Sequence, residues 1–248
     1  MSERWLQQAA AAFWDAAGEP PPPPRDLETA ALWALPLAVC ELPSLRVATV
    51  RAWLHHQSSR IVINGPDRPL RGCLVAYAGS GVILLDADDP ADERRFTVAH
   101  EIAHFLVDYA EPREHAVAGM GPGIVTVLDG LRAPTVDERV DALLVDVPLG
   151  PHTHLMQRLV DGSLGCGRVA GAESRADCLA LELLAPAQLV RWELERRGPS
   201  GNYRYCVDQT IEVLGGTFGL PGRVTESYGT WLCDGWCGDP TVRQWLGL

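Results

Sequence analysis

The chain contains no lysine: its 21 basic side chains are all arginine, set against 32 acidic ones for a formal charge of −11 over 248 residues. An excess of negative charge this large argues against a role in gripping nucleic acid or an anionic membrane, because phosphate binding relies on a basic face. It leaves room for an acidic protein that acts on a basic one. Cysteine is scattered. Cys233 and Cys237 are the closest two of 7, and no second pair answers them, so no structural zinc ribbon is expected. No apolar run is long enough to span a bilayer, and no basic segment followed by an apolar one opens the chain. The expectation is a cytoplasmic protein with reduced thiols. What the chain does have, at 47% hydrophobic, is enough apolar material for one substantial core and a small appended module.

The most informative stretch is His100-Glu101-Ile102-Ala103-His104. Residues four apart on a helix lie one turn above each other, so both imidazoles can face one metal ion. Glu101 sits beside them, where a carboxylate can take a proton from a water held by that metal. The flanks support a helix. Asp89 reads as an N-cap with Pro90 at the first helical position, and Asp92 and Glu93 place negative charge in the first turn. Phe96, Ala99, Ala103 and Val107 share the histidine face, while Val98, Ile102, Phe105, Leu106 and Tyr109 cover the other side. A helix apolar nearly all round is buried. Histidines and a glutamate on such a helix need partners, and a metal supplies them.

Around this motif the chain divides unevenly. Glu3–Ala17 reads as a helix, Pro20–Pro24 as an extended linker, and Leu27–Leu35 and Ser44–His56 as two further helices, with His55 and His56 as exposed or C-terminal charges. Leu70–Tyr77 and Val82–Asp86 form a hairpin signal around Ala78-Gly79-Ser80-Gly81. A hairpin feeding a metal-binding helix fits zinc peptidases, whose edge strand beside the metal can take an extended substrate as an added strand. From Glu111 to Gly171 glycine and proline interrupt the chain, with one helical stretch near Val136–Val145; this reads as a partly ordered, lid-like insertion. His152 and His154 within it, like His115, are expected at the surface and ill placed for joint ligation. Beyond Gly201, Val207–Leu214 and Arg223–Leu232 flank a turn and read as a helix-turn-helix-like module. Its three arginines against five acidic residues favour packing or substrate docking over DNA binding. The expected divisions are 1–60, 61–200 and 201–248, and the expected class is α+β: a mostly helical core with a small hairpin sheet and the C-terminal module.

Two histidines need a third protein donor to leave one position open for water. The best candidate is Glu173, at the start of the run Glu173–Leu184. Glu173, Ala176, Asp177, Ala180, Leu181 and Leu184 share a face, so Glu173 can reach the metal while Asp177 orients a ligating histidine. Cys178 points elsewhere on the wheel. Glu182 is the runner-up, and a third histidine six residues after the second is ruled out by Ala110. Zinc is the default metal for this set, with manganese or iron as replacements. An oxyanion donor is also expected, with Tyr77, His152, His154 and Tyr228 as the polar side chains to consider.

Glu93 to Phe105 with its flanks resembles the core of the ImmA/IrrE metallopeptidases, and Glu182-Leu183-Leu184-Ala185-Pro186 resembles the end of their second signature helix. The resemblance implies a gluzincin-like fold, zinc held by His100, His104 and Glu173, and Glu101 as general base. It also implies cleavage of a DNA-binding repressor of the Xre helix-turn-helix type, in stress response. Two departures stand out. The gap from His104 to Glu173 is longer than usual, a tolerable cost since loop closure grows only logarithmically with length. Asp177 stands where asparagine is frequent. The alternative is a metal-binding regulator that holds a repressor without cutting it.

Overall fold

The computed structural model describes residues 3–144, 147, 149–158, 167–198 and 202–237. The N-terminal part runs α1 (Glu3–Ala17), α2 (Leu27–Ala34), β1 (Leu37–Leu42), α3 (Val47–His56), β2 (Leu70–Tyr77) and β3 (Ser80–Asp86). Next come α4 (Ala91–His104), a π-helical turn (Phe105–Ala110), α5 (Glu111–Met120), α6 (Val125–Leu128), α7 (Val136–Leu144) and β4 (His152–Gln157). Four more helices follow among the described residues: α8 (Gly167–Leu184), α9 (Ala187–Arg197), α10 (Tyr203–Gly216) and α11 (Gly222–Cys237). The fold is α+β, with a four-stranded mixed sheet ordered β1-β3-β2-β4. β1 runs parallel to β3, and the other two pairings are antiparallel.

Alternation along the strands assigns each face of the sheet. Leu74 and Ala76 of β2, with Ile83 and Leu85 of β3, enter the main core, into which α1, α2, α4, α8, α10 and α11 also pack. Cys73, Val75 and Leu84 point the opposite way, onto Val47, Val50 and Leu54 of α3. This is the period-two rule of a sheet covered on both sides. β2 lies close against α4: a Cβ added to Gly72 would come within 2.4 Å of Thr97 and 3.1 Å of Glu101 Oε1. Every α4 residue from Phe96 to His104 is buried, as its all-round apolar pattern requires.

Several expectations need correcting. Asp89 does not cap α4; Pro90 stands at the cap without a side-chain bond, and Asp89 instead accepts from Arg158 Nη1 at 2.7 Å. A distant guanidinium offers a buried carboxylate more than a local amide does. The hairpin turn is tighter than expected, since β3 already begins at Ser80. The insertion is more regular than its glycines and prolines suggest: α5, α6 and α7 are all helical, and Tyr77 Oη donates to Asp129 O at 2.7 Å to tie them to the hairpin. β1 and β4 were not foreseen as strands.

The two helices expected near the C-terminus form as α10 and α11. They are built into the main core, where Val213, Leu214, Phe218, Val224, Tyr228 and Leu232 are buried with residues of α4 and α8. Arg95 Nη1 donates to Gly219 O at 2.8 Å, and Tyr228 Oη to Ala185 O at 3.0 Å, joining the pair to both site helices. Residues 238–248 of the expected third division lie outside those described, as does the side chain of Cys237. No helix among the described residues is long and apolar enough to cross a membrane.

Candidate metal centre

α4 and α8 pack side by side, with β2 against α4, and the facing side chains of the two helices make the site. His100 and His104 point the same way from consecutive turns, and their Nε2 atoms converge to 3.1 Å. Glu173, from α8, brings Oε2 to 3.4 Å from His100 Nε2 and Oε1 to 3.7 Å from His104 Nε2. Asp177, one turn along α8, accepts from His100 Nδ1 at 2.9 Å. The structure thus brings His100, His104, Glu173 and Asp177 together. The helix that carries the two carboxylates begins earlier than expected, at Gly167. Its last turn is capped by Arg25, whose Nη1 donates to Leu183 O at 2.5 Å. Glu182, the runner-up donor, lines a cavity on the other side of α8 with Tyr228 and Trp231.

Two partners were missed. Asp108, in the π-helical turn that follows His104, accepts from His104 Nδ1 at 2.6 Å and is itself held by Arg175 Nη2 at 3.1 Å. Each histidine therefore has a carboxylate on its Nδ1. Such a partner fixes the tautomer and leaves Nε2 as the donor.

His154 is the larger surprise. It is not at the surface. Its Nδ1 lies 2.9 Å from Glu101 Oε2, its Nε2 lies 2.9 Å from Glu173 Oε1, and its ring stacks on His104 at 3.7 Å between centroids. His152 and His154 were expected to be ill placed for joint ligation, whereas positions two apart in a strand share a face. In β4, His154 pairs with Leu74 and His152 with Ala76, so both lie on the face toward α4. Two histidines spaced by one β-branched residue, in a chain with 7 in all, were the signal available. Tyr77 and Tyr228, by contrast, spend their hydroxyls on backbone carbonyls elsewhere.

The donor set fits a cation. With both Nδ1 atoms donating to carboxylates, neutral His100 and His104 would face each other through two lone pairs, which cannot hydrogen-bond. His100, His104, His154 and Glu173 each offer one ligand atom, all within 4.8 Å of one another. Burial alone would lower the pKa of His100, but its bonds to Asp177 and Glu173 raise it to about 9. Burial likewise opposes charge on His154, and Glu101 and Glu173 push it up to about 10. Glu101 is fully buried, which favours its neutral form, yet His154, His100 and His104 hold its pKa below the usual value. Its Oε1 has no partner.

A buried HExxH helix against β2, and a second helix whose carboxylate faces its histidines, give the α+β fold of a zincin-like core. Residues 49–121 match the family model of Peptidase_M78, the IrrE N-terminal-like domain, so the resemblance to ImmA/IrrE peptidases holds over that stretch. The match covers α3 to α5 with His100, Glu101 and His104, and ends before Glu173, Asp177 and His154. It supports a metallopeptidase function. No curated protein matches the chain.

Proposed function

We propose that this protein is a zinc-dependent endopeptidase that hydrolyses a peptide bond in a regulatory protein, a DNA-binding repressor of the Xre type by the family resemblance. The observation that carries the reading is Glu101 buried beside the converging donors of His100, His104 and Glu173. A bound zinc ion would polarise the scissile carbonyl and lower the pKa of a coordinated water; manganese or iron could serve in the same donors. The protein's own groups do the rest. His100 and His104 present Nε2, oriented by Asp177 and Asp108. Glu101, fully buried beside these donors, takes the proton of the attacking water and returns it to the leaving amine. The chain's negative charge suits a basic partner such as a DNA-binding protein and disfavours direct contact with nucleic acid.

Glu101→Gln keeps the shape and removes the base. The variant is expected to bind one zinc per chain and to leave a candidate repressor intact under conditions in which the wild type cuts it, read by mass spectrometry of the products. Equal cleavage by both proteins would sink the mechanism. One observation favours a second reading, a regulator that binds without cutting: Glu101 Oε2 is already engaged by His154. In that case the wild type and Glu101→Gln bind the repressor alike and neither cleaves it.

A further inference from the structure

Hydrolysis on this scaffold, as proposed above, calls for a base open to water, a free donor position beside His100, His104 and Glu173, and an open edge of β2 over that base for an extended chain. One segment of the protein takes all three. β4 covers the outer edge of β2, whose inner edge is already paired with β3. This is the edge that lies over Glu101, as the close approach of Gly72 to that side chain attests. From β4, His154 reaches Glu101 with one ring nitrogen and Glu173 with the other. No surface of Glu101 remains exposed. The far end of the strand is fastened. Arg158 Nη1 lies 2.7 Å from Asp89 Oδ1 and Nη2 lies 2.8 Å from Asp86 Oδ2, both buried carboxylates beside the start of α4.

We propose that β4 is an internal stand-in for a substrate strand, latched by Arg158, whose His154 fills the donor position a water would need. The inference rests on the endopeptidase reading for its meaning, and on the strand pairing and ring contacts for its content. Extended peptides bind sheet edges through main-chain hydrogen bonds, with alternate side chains directed into the site beneath. β4 does this in cis, with His152 and His154 on the α4 face. A tethered strand competes at a high effective concentration, so a substrate in trans is excluded until β4 is released. Four protein donors close a zinc site, whereas three leave room for water. An imidazole placed to assist the reaction would leave Glu101 free to meet a water, and His154 does the opposite. Releasing the strand means breaking a six-residue ladder, the Arg158 pairs and the contacts of His154 with Glu101 and Glu173.

The test compares the full-length wild type, His154→Ala and Arg158→Ala, each loaded with cobalt(II), using azide as a probe of an open donor position and visible absorption as the readout. If β4 is withdrawn in about a tenth of wild-type molecules or fewer, azide binds His154→Ala at least about tenfold more tightly, with Arg158→Ala in between. Casein hydrolysis per bound cobalt should rise in the same order. Equal azide affinity in all three, or slower casein hydrolysis in His154→Ala, would overturn the proposal. Arg158→Ala touches no metal donor, so it decides the matter if His154→Ala fails to fold. Should azide follow the expected order while no variant cleaves casein or a repressor, the hydrolytic reading falls and the internal strand stands.

Discussion

Replacing Asp108 and Asp177 separately by alanine asks how much of the metal affinity lies in the groups behind the donors. Both carboxylates accept from the Nδ1 of a histidine whose Nε2 faces the site, but their surroundings differ. Asp108 is 16% exposed, lies 2.6 Å from His104 and is braced by Arg175; Asp177 is 51% exposed and lies 2.9 Å from His100. Loss of such a partner costs about 10- to 100-fold in metal affinity, or roughly 1.4–2.7 kcal/mol. Screening by water weakens the exposed pair, so Asp108→Ala belongs near the upper end of that range and Asp177→Ala near the lower. Arg175→Ala should fall below both, because it leaves the Asp108–His104 bond in place. Zinc affinity measured against a competing chelator gives the three values directly, and thermal melts of the metal-free proteins separate affinity from folding. An Asp177→Ala loss equal to or greater than that of Asp108→Ala would refute the argument that burial sets the strength of these contacts.

Two further outcomes follow from the same geometry. In the metal-free protein, His100 and His154 titrate near 9 and 10 rather than near 6.5, so the stability they contribute is complete below about 6.5 and is lost as pH rises through 9 to 10. Glu173, held below the usual carboxylate range by His100, His104 and His154, and Asp108, held there by His104 and Arg175, both against the opposing effect of burial, contribute above about 4.3 and lose it as pH falls. The melting temperature with chelator present should therefore peak between about pH 4.3 and 6.5 and decline toward pH 10. Zinc affinity should rise over the alkaline range as protons leave the donors. A melting temperature flat from pH 6.5 to 10 would contradict the assignment of these shifts. Gly72→Ala places a methyl group 2.4 Å from Thr97, forcing β2 away from α4 at a cost of about 1–3 kcal/mol. At about 2–4 °C per kcal/mol, calorimetry should find the melting temperature lowered by several degrees; an unchanged value would mean that β2 and α4 are not in the contact described.

What could be read from the chain divides along the range of the interactions that decide it. α1, α3, the hairpin and α4 follow from periodicity within a few residues, and each lies close to where the pattern puts it. The carboxylate on α8 was also accessible, because helical spacing alone puts Glu173 and Asp177 on one face. β1 has no such signature: Leu37–Leu42 contains alanine, cysteine and glutamate in no alternating order, and it is a strand only because it runs beside β3 in the fold. β4 is harder still. His-Thr-His-Leu-Met-Gln carries little hydrophobic signal, and its strand character comes from pairing with β2, some eighty residues earlier in the chain. Asp89 failed as a cap for the same reason, since its partner Arg158 lies 69 residues away.

Those long-range decisions all concern one segment. β4, its histidines and Arg158 belong to the insertion that separates His104 from Glu173, and they lie beyond the stretch that matches the family model. Had the insertion served only as a spacer, its side chains would have been expected on the surface, as was expected of His152 and His154. Instead it sends a strand to the sheet edge, an imidazole between the base and the third donor, and a guanidinium to two carboxylates beside α4. Burying a guanidinium's partners and packing an imidazole among carboxylates has a desolvation cost that a connecting loop has no reason to incur. The insertion is therefore a component of the site. How it leaves the site is a question separate from the chemistry of His100, Glu101 and His104, and one that Arg158→Ala addresses without touching them.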